Sequence, residues 1–287
     1  MLSRRQFLTC SGIALLGITP ERLLSTAVDL SACYGRTLDT LDVYAAPSVR
    51  ARVVKRLWAD SIVQVIDVQD EWLQLTDGYV ERSFVQAMLP YQPDTGMLRA
   101  DEPFWGEVAA PVAPVYRWAA VDAPLVTRVG HGGVLRVSGA LLDGWYKVES
   151  VHSVLGWTQA VFWRAVPNDI REFTQTRIEV HPTAYTLSVF DGERVVLQTP
   201  YASSVSLVVG AYAIESKQAG GAAYTLDQNR FEGVPWHLGF GGYEVIGAYW
   251  HNQFGKPYMG NAIQISPLAA RWLYQQMQVG DSVVVAT

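Results

Sequence analysis

The sequence predicts a mainly β protein with a single helix near its C-terminus. Short runs of alternating apolar and polar residues recur from Tyr34 onward, the pattern of half-buried strands. One arrangement of turn and aromatic residues occurs twice, with offsets of 28 residues from Tyr44 to Trp72 and 29 from Tyr116 to Trp145, the mark of an internal repeat. Ser266-Pro267 then supplies an N-cap and a first-turn proline ahead of Leu268, Ala269, Trp272, Leu273 and Met277, which share one helical face.

The N-terminus reads as a signal peptide over residues 1–27. Arg4 and Arg5 stand directly ahead of an apolar run from Phe7 to Ile18, closed by Pro20 and Glu21. A membrane span needs about 20 apolar residues, and this run is shorter. Ser3-Arg4-Arg5-Gln6-Phe7-Leu8 resembles a twin-arginine export signal; the competing reading is a short amphipathic helix. Cleavage after Ser25-Thr26-Ala27 removes Cys10 and leaves Cys33 alone, so no internal disulfide is available. Leu30-Ser31-Ala32-Cys33 has the look of a lipidation site, although Pro20, Glu21, Arg22 and Asp29 separate it from the apolar run; an inert Cys33 is the other reading.

About 260 residues follow, enough for two or three small domains. Net charge is −5 and no run of Lys and Arg interleaves with aromatics, so nucleic-acid binding has no electrostatic footprint. An apolar content of 49% with 10 Trp and 14 Tyr fills real cores and argues against disorder.

Between Tyr34 and Pro90 the predicted strands are Leu41 to Tyr44, Ile62 to Ile66, Trp72 to Leu75 and Tyr79-Val80. After the proline-bearing stretch to Glu102 the pattern returns. Val43-Tyr44 is answered by Val115-Tyr116, Asp70-Glu71-Trp72 by Asp143-Gly144-Trp145, and Gly78-Tyr79-Val80 by Gly156-Trp157-Thr158. The segment after Trp145 is longer than its counterpart and reads as a longer hairpin. Both copies, 34–90 and 104–166, resemble bacterial SH3-type domains, which implies small barrels and, in that family, binding of cell-wall peptides. Trp72, Tyr79, Trp145, Trp157 and Trp163 are either a ligand platform or core filler, the commoner use of Trp in so small a barrel. Asn168 to Gln175, polar and unpatterned, reads as a linker.

In the last part, Ile178 to Val180 reads as a strand. Thr186 to Phe190 and Val195 to Gln198 read as a hairpin about Asp191-Gly192. Tyr243 to Tyr249 and Ala262 to Ile265 continue the strand pattern. Val283 to Val285 closes it after the helix and Gly280-Asp281.

Residues 177–287 resemble the catalytic domain of the L,D-transpeptidase (YkuD-like) family. Ile178-x-Val180, Asp191-Gly192, Gly247-Ala248-Tyr249-Trp250-His251-Asn252-Gln253-Phe254-Gly255-Lys256-Pro257 and Ile265-Ser266-Pro267-Leu268-Ala269-Ala270-Arg271-Trp272-Leu273-Tyr274 carry the likeness. It implies a β-sandwich with one C-terminal helix, and cross-linking of peptidoglycan stem peptides.

The family's chemistry is where this sequence departs. Its cysteine nucleophile lies in a Ser-His-Gly-Cys-x-Asn/Arg motif. Ungapped alignment back from Pro267 places Met259 at the Ser, Gly260 at the His, Asn261 at the Gly, Ala262 at the Cys and Gln264 at the Asn/Arg. The family's Ile-His-Gly reads Val245-Ile246-Gly247, and its Thr-Pro-x-Gly-x-Phe reads Leu207-Val208-Val209-Gly210-Ala211-Tyr212. Three chemical positions, Ile246, Gly260 and Ala262, thus carry apolar groups or hydrogen. Covalent acyl transfer needs nucleophile and base together, and losing the nucleophile costs around a millionfold.

The expectation is therefore an exported, cell-wall-associated protein without catalytic residues or cofactor. Tyr249, Trp250, His251, Asn252, Met259, Asn261 and Gln264 are its candidate ligand groove. Its expected partners are stem peptides or an envelope protein, and it touches a membrane only through the signal or a lipid on Cys33. The alternative is a peptidoglycan-modifying enzyme, transpeptidase or hydrolase, with relocated chemistry, His251 serving as base with a groove hydroxyl or carboxylate as nucleophile; a lone histidine beside two aromatics is more commonly structural. His181 and His237 have no partner at metal-ligand spacing. Gly239-Phe240-Gly241-Gly242 precedes no helix, so it is not read as a phosphate loop.

Overall fold

The computed structural model describes residues 34–91, 102–151, 153–166 and 171–286; the expected signal peptide, Cys10 and Cys33 lie outside them. The chain is mainly β, with one α-helix, Pro267–Gln276, among the described residues. Two compact units form, one of residues up to Tyr91 together with Trp250–Asn252, the other of the remainder.

In the first unit, strands Val53–Leu57, Leu41–Tyr44, Gly78–Glu81, Trp72–Leu75 and Asp67–Gln69 form a five-stranded sheet in that order, and Ile62–Gln64, Tyr34–Thr37 and Val85–Met88 a second. The run predicted from Ile62 to Ile66 is divided: Ile66 lies between Ile62–Gln64 and Asp67–Gln69. Its amide donates to Gln74 O at 2.9 Å.

The second copy repeats this order within one seven-stranded sheet: Leu125–Gly130, Val112–Tyr116, Val154–Gln159, Trp145–Glu149, Val134–Leu142, Phe104–Val108 and Trp163–Ala165. The single strand Val134–Leu142 spans what the first copy breaks into two. Equivalent residues keep equivalent partners: Tyr44 faces Tyr79 and Tyr116 faces Trp157 across the sheet. Tyr44 meets Trp72 edge-on at 5.7 Å, and Tyr116 meets Trp145 likewise at 5.8 Å. That repeated contact fixes the distance between the two aromatics along the chain, which is why their offset was legible. Gly78 and Gly156 both adopt φ 155°, and a Cβ on either would run into the carbonyl of Tyr44 or Tyr116. A short 3₁₀ turn, Arg82–Phe84 or Ala160–Phe162, leads into the final strand of each copy. Trp145 and Trp163 are buried, whereas Trp72, Tyr79 and Trp157 are half-buried.

The remainder of the second unit holds two further sheets. One orders Arg194–Pro200, Thr186–Asp191, Thr176–His181, Ser282–Val285 and Gly210–Ala213; the other orders Ser216–Gln218, His237–Phe240, Tyr243–Gly247, Ile263–Ile265, Ala202–Ser203 and Lys256–Pro257. Thr176–His181 buries alternate residues, Thr176, Ile178 and Val180, as a strand with one covered face must. The strand expected from Tyr243 to Tyr249 ends at Gly247, because the amides of Gly247 and Ala248 turn to Pro235 O and Ile265 O. Gly241 and Gly242, at φ 52° and 78°, make the two-residue turn between strands that left-handed glycines favour. The helix starts as its sequence predicts, with Ser266 Oγ accepting from Ala269 N at 3.3 Å, and it buries Leu268, Trp272 and Leu273.

The segment expected as a linker is partly anchored. Arg171 pairs with Asp281 at 3.1 Å and donates to Phe173 O at 2.8 Å, which holds Phe173 against Trp272 at 5.9 Å. A polar stretch of this length hid one buried aromatic.

The second copy and the last part of the chain share a buried charge cluster. Glu107 is fully buried, with Arg164 at 2.8 Å and Arg271 at 3.2 Å from the same carboxylate oxygen. Burial alone would raise its pKa, but Arg164, Arg271 and His131 together hold the carboxyl below its ordinary range.

Candidate functional site

The positions aligned with the family's reacting groups gather where Tyr243–Gly247 and Ile263–Ile265 run side by side in parallel. Ile246 lies opposite Gln264 in that register, and both are fully buried. Ala262 is buried immediately before the second strand.

The loop ahead of Ala262 is tied down from three directions. Gln264 Nε2 donates to Met259 O at 2.9 Å, Ser204 Oγ donates to Gly260 O at 2.7 Å, and the Tyr224 hydroxyl accepts from Asn261 N at 2.9 Å. Met259 itself points outward and is half exposed. Gly260 adopts φ 127°, where side chains are strained, and a Cβ there would meet the Tyr224 hydroxyl and come within 2.8 Å of Gln264 Nε2. The volume a histidine side chain needs at this position is therefore occupied by two other polar groups.

Tyr224 is the residue that sequence reasoning missed. It sits on a two-stranded hairpin, Ala222–Leu226 with Asn229–Val234, turned at Asp227 with φ 51°. Burial raises the pKa of its hydroxyl, the amides of Asn261 and Ala262 oppose this, and Glu244 adds to the rise. The Asn261 N–H that donates to this oxygen is thus satisfied within the chain.

Glu244 also takes His237, whose Nδ1 lies 2.6 Å from Glu244 Oε1 and whose Nε2 lies 2.9 Å from Val234 O. Both ring nitrogens lie within hydrogen-bond distance of acceptors, so the ring is held in place within the chain.

The other expected groove residues go elsewhere. Tyr249 is buried and its hydroxyl donates to Glu232 O at 2.6 Å. Trp250, His251 and Asn252 belong to the other compact unit from Met259, Asn261 and Gln264. Asn252 Nδ2 donates to Arg82 O at 2.9 Å and Val85 O at 2.8 Å, and Gln86 Nε2 donates to His251 O at 2.9 Å. The Asn252 amide thus bridges carbonyls at the two ends of the 3₁₀ turn of the first copy. The His251 ring is buried. Among the described residues no group of His, Cys, Asp and Glu is placed to hold a metal ion, and no helix is long and apolar enough to cross a membrane.

No protein-family model matches the sequence, and no curated protein matches it. Solved structures do. An L,D-transpeptidase (Yku) from Stackebrandtia nassauensis is 17% identical with a TM-score of 0.32, over 41% of this chain and 58% of that one. An L,D-transpeptidase from Mycobacterium smegmatis is 19% identical with a TM-score of 0.36, over 63% of this chain and 99% of that one. One from Mycobacterium tuberculosis is 15% identical with a TM-score of 0.35, over 71% and 90%. This chain spans 50% to 58% of the length of the first three solved chains it matches.

Proposed function

We propose that this chain is an exported cell-wall-associated protein, with two SH3-like modules at 34–90 and 104–166 and an L,D-transpeptidase-like domain at 177–287 that binds peptidoglycan or an envelope partner without catalysing acyl transfer. The motifs from Gly247 to Pro257 and from Ile265 to Tyr274 support the domain reading. One observation carries the non-catalytic part: the Tyr224 hydroxyl and the Gln264 amide fill the space a side chain at Gly260 would need, beside Ala262, which has no nucleophile. The competing enzyme reading puts a base at His251, and that ring is buried, with its carbonyl held by Gln86 and the next side chain, Asn252, bonded to Arg82 O.

Incubation of the unmodified protein with a carbapenem, which acylates the cysteine of active family members, tests this by intact mass. No adduct is expected; a covalent adduct mapped within 177–287 overturns the non-catalytic reading. Wall association is tested by sedimentation with purified sacculi, and failure to co-sediment removes the peptidoglycan-binding half of the proposal.

A further inference from the structure

The two copies share a face that is covered in one and bare in the other. In the second copy, the turn joining Leu125–Gly130 to Val134–Leu142 lies under glycine-bearing segments from the last part of the chain, within the same compact unit. Gly221 N donates to Val134 O at 2.8 Å, and Val151 N donates to Gly221 O at 2.9 Å. A Cβ on Gly233 would come within 2.9 Å of Leu135 Cγ, and one on Gly132 within 2.7 Å of Pro267 Cβ. Under this cover Val129, Val134 and Leu135 are fully buried.

Register carries that face onto the first copy. Leu41, Asp42, Val43 and Tyr44 face Leu57, Arg56, Lys55 and Val53, as Ala113, Pro114, Val115 and Tyr116 face Val129, Arg128, Thr127 and Leu125, with the same bulge before the tyrosine. Arg36 faces Ile62 where Glu107 faces Val134. Trp58 therefore stands at the place of Gly130, and Ile62 at that of Val134. Both are open to solvent: Trp58 is 74% exposed and Ile62 45%, against 0% for Val134. The beginnings of the two strands are exposed in both copies, so the difference lies at this turn.

Among the described residues Val53–Leu57 is also a sheet edge, bonded on one side only to Leu41–Tyr44. Four of its five residues are exposed, so both of its faces are open. An open edge beside exposed apolar groups accepts a further strand. Charge selects which strand. Arg56 pairs with Asp42 and Lys55 with Asp77, while Arg50 and Arg52, exposed at the near end, have no acidic partner within ion-pair distance among the described residues. Two copies pairing antiparallel through the centre of this edge would set Lys55 against Lys55, which opposes self-association.

We infer that the edge Val53–Leu57, with Trp58 and Ile62, is a docking site for an extended segment of another protein that is acidic toward Arg50 and Arg52 and apolar over Trp58. The inference does not depend on the state of Ala262, and a carbapenem adduct would leave it standing.

Amide resonances of the full chain, titrated with a synthetic peptide of alternating Glu and Val and separately with one of alternating Lys and Val, provide the test. The acidic peptide should shift residues 50–62, and the basic one should bind at least about tenfold more weakly. Trp58→Ala and the pair Arg50→Ala with Arg52→Ala should each weaken the acidic peptide by about tenfold while leaving the rest of the spectrum in place. Absence of shifts at 50–62, equal binding of both peptides, or indifference to these substitutions overturns the inference. So does a concentration-dependent dimer in sedimentation that Trp58→Ala abolishes, since the occupant would then be a second copy.

Discussion

The Tyr224 hydroxyl accepts the backbone N–H of Asn261 at 2.9 Å, and the Ala262 amide also acts on that oxygen. Removing the oxygen should therefore be felt in the loop before it is felt in the hairpin. Tyr224→Phe leaves the ring and takes away the acceptor, at a cost of about 0.5–1.5 kcal/mol. Amide exchange at Asn261 and Ala262 should quicken while the strand Tyr243–Gly247 stays protected. Unchanged exchange at both amides would show that the hydroxyl does not hold them.

The buried cluster around Glu107 should set the acid limit of the second unit. The folded state holds this carboxyl below its unfolded pKa, so its contribution is present above the ordinary glutamate value of about 4.3 and is lost as pH falls through the lower folded value. Glu107→Gln leaves the half-buried Arg164 and Arg271 without their shared counter-charge and should cost up to about 3 kcal/mol at neutral pH. Denaturant unfolding across pH reads both effects: the variant should lose the acid-side slope this group gives. A variant with the parent's stability and slope would mean the cluster is balanced by other charges.

Asn252 is predicted to act on the first copy. Asn252→Ala deprives the carbonyls of Arg82 and Val85 of a shared donor, and Asn252→Asp sets a carboxylate against them, so the second change should be the more damaging. Hydrogen exchange should rise at residues 82–88 in both variants, and further in the aspartate. Exchange that rises only at residues 250–254 would detach this side chain from the first copy.

These residues also show what the sequence made legible. Ser266-Pro267 marks a helix start because the cap acts within four residues, and the offset between Tyr44 and Trp72 repeats because one edge-on ring contact is conserved between the copies. Motif alignment singled out Gly260 and Ala262 but not the Tyr224 hydroxyl beside Gly260, since Tyr224 lies far back along the chain on a hairpin of modest alternation. Trp250, His251 and Asn252 are expected in the groove because they stand in the family-like segment from Gly247 to Pro257. Their partners, Arg82, Val85 and Gln86, are more than 160 residues away, and no local pattern announces a contact of that range.

Installing cysteine acyl-transfer chemistry at this site should be harder than replacing three side chains. Ala262→Cys alone introduces a thiol with an ordinary pKa of about 8.5, mostly protonated at neutral pH. Adding Ile246→His places a ring at a fully buried position opposite Gln264, and Gly260→His forces a side chain onto a backbone at φ 127° and into the Tyr224 hydroxyl. The triple variant is therefore expected to give no carbapenem adduct, and to be destabilised by the strain at residue 260. Combining it with Tyr224→Ala removes the nearest obstruction and gives the thiol its best opportunity to react. Intact-mass spectra of the four proteins, with circular dichroism to establish that each is folded, distinguish the cases. An adduct on a folded triple variant that still carries Tyr224 would show that the hairpin yields readily and that the site is open in solution.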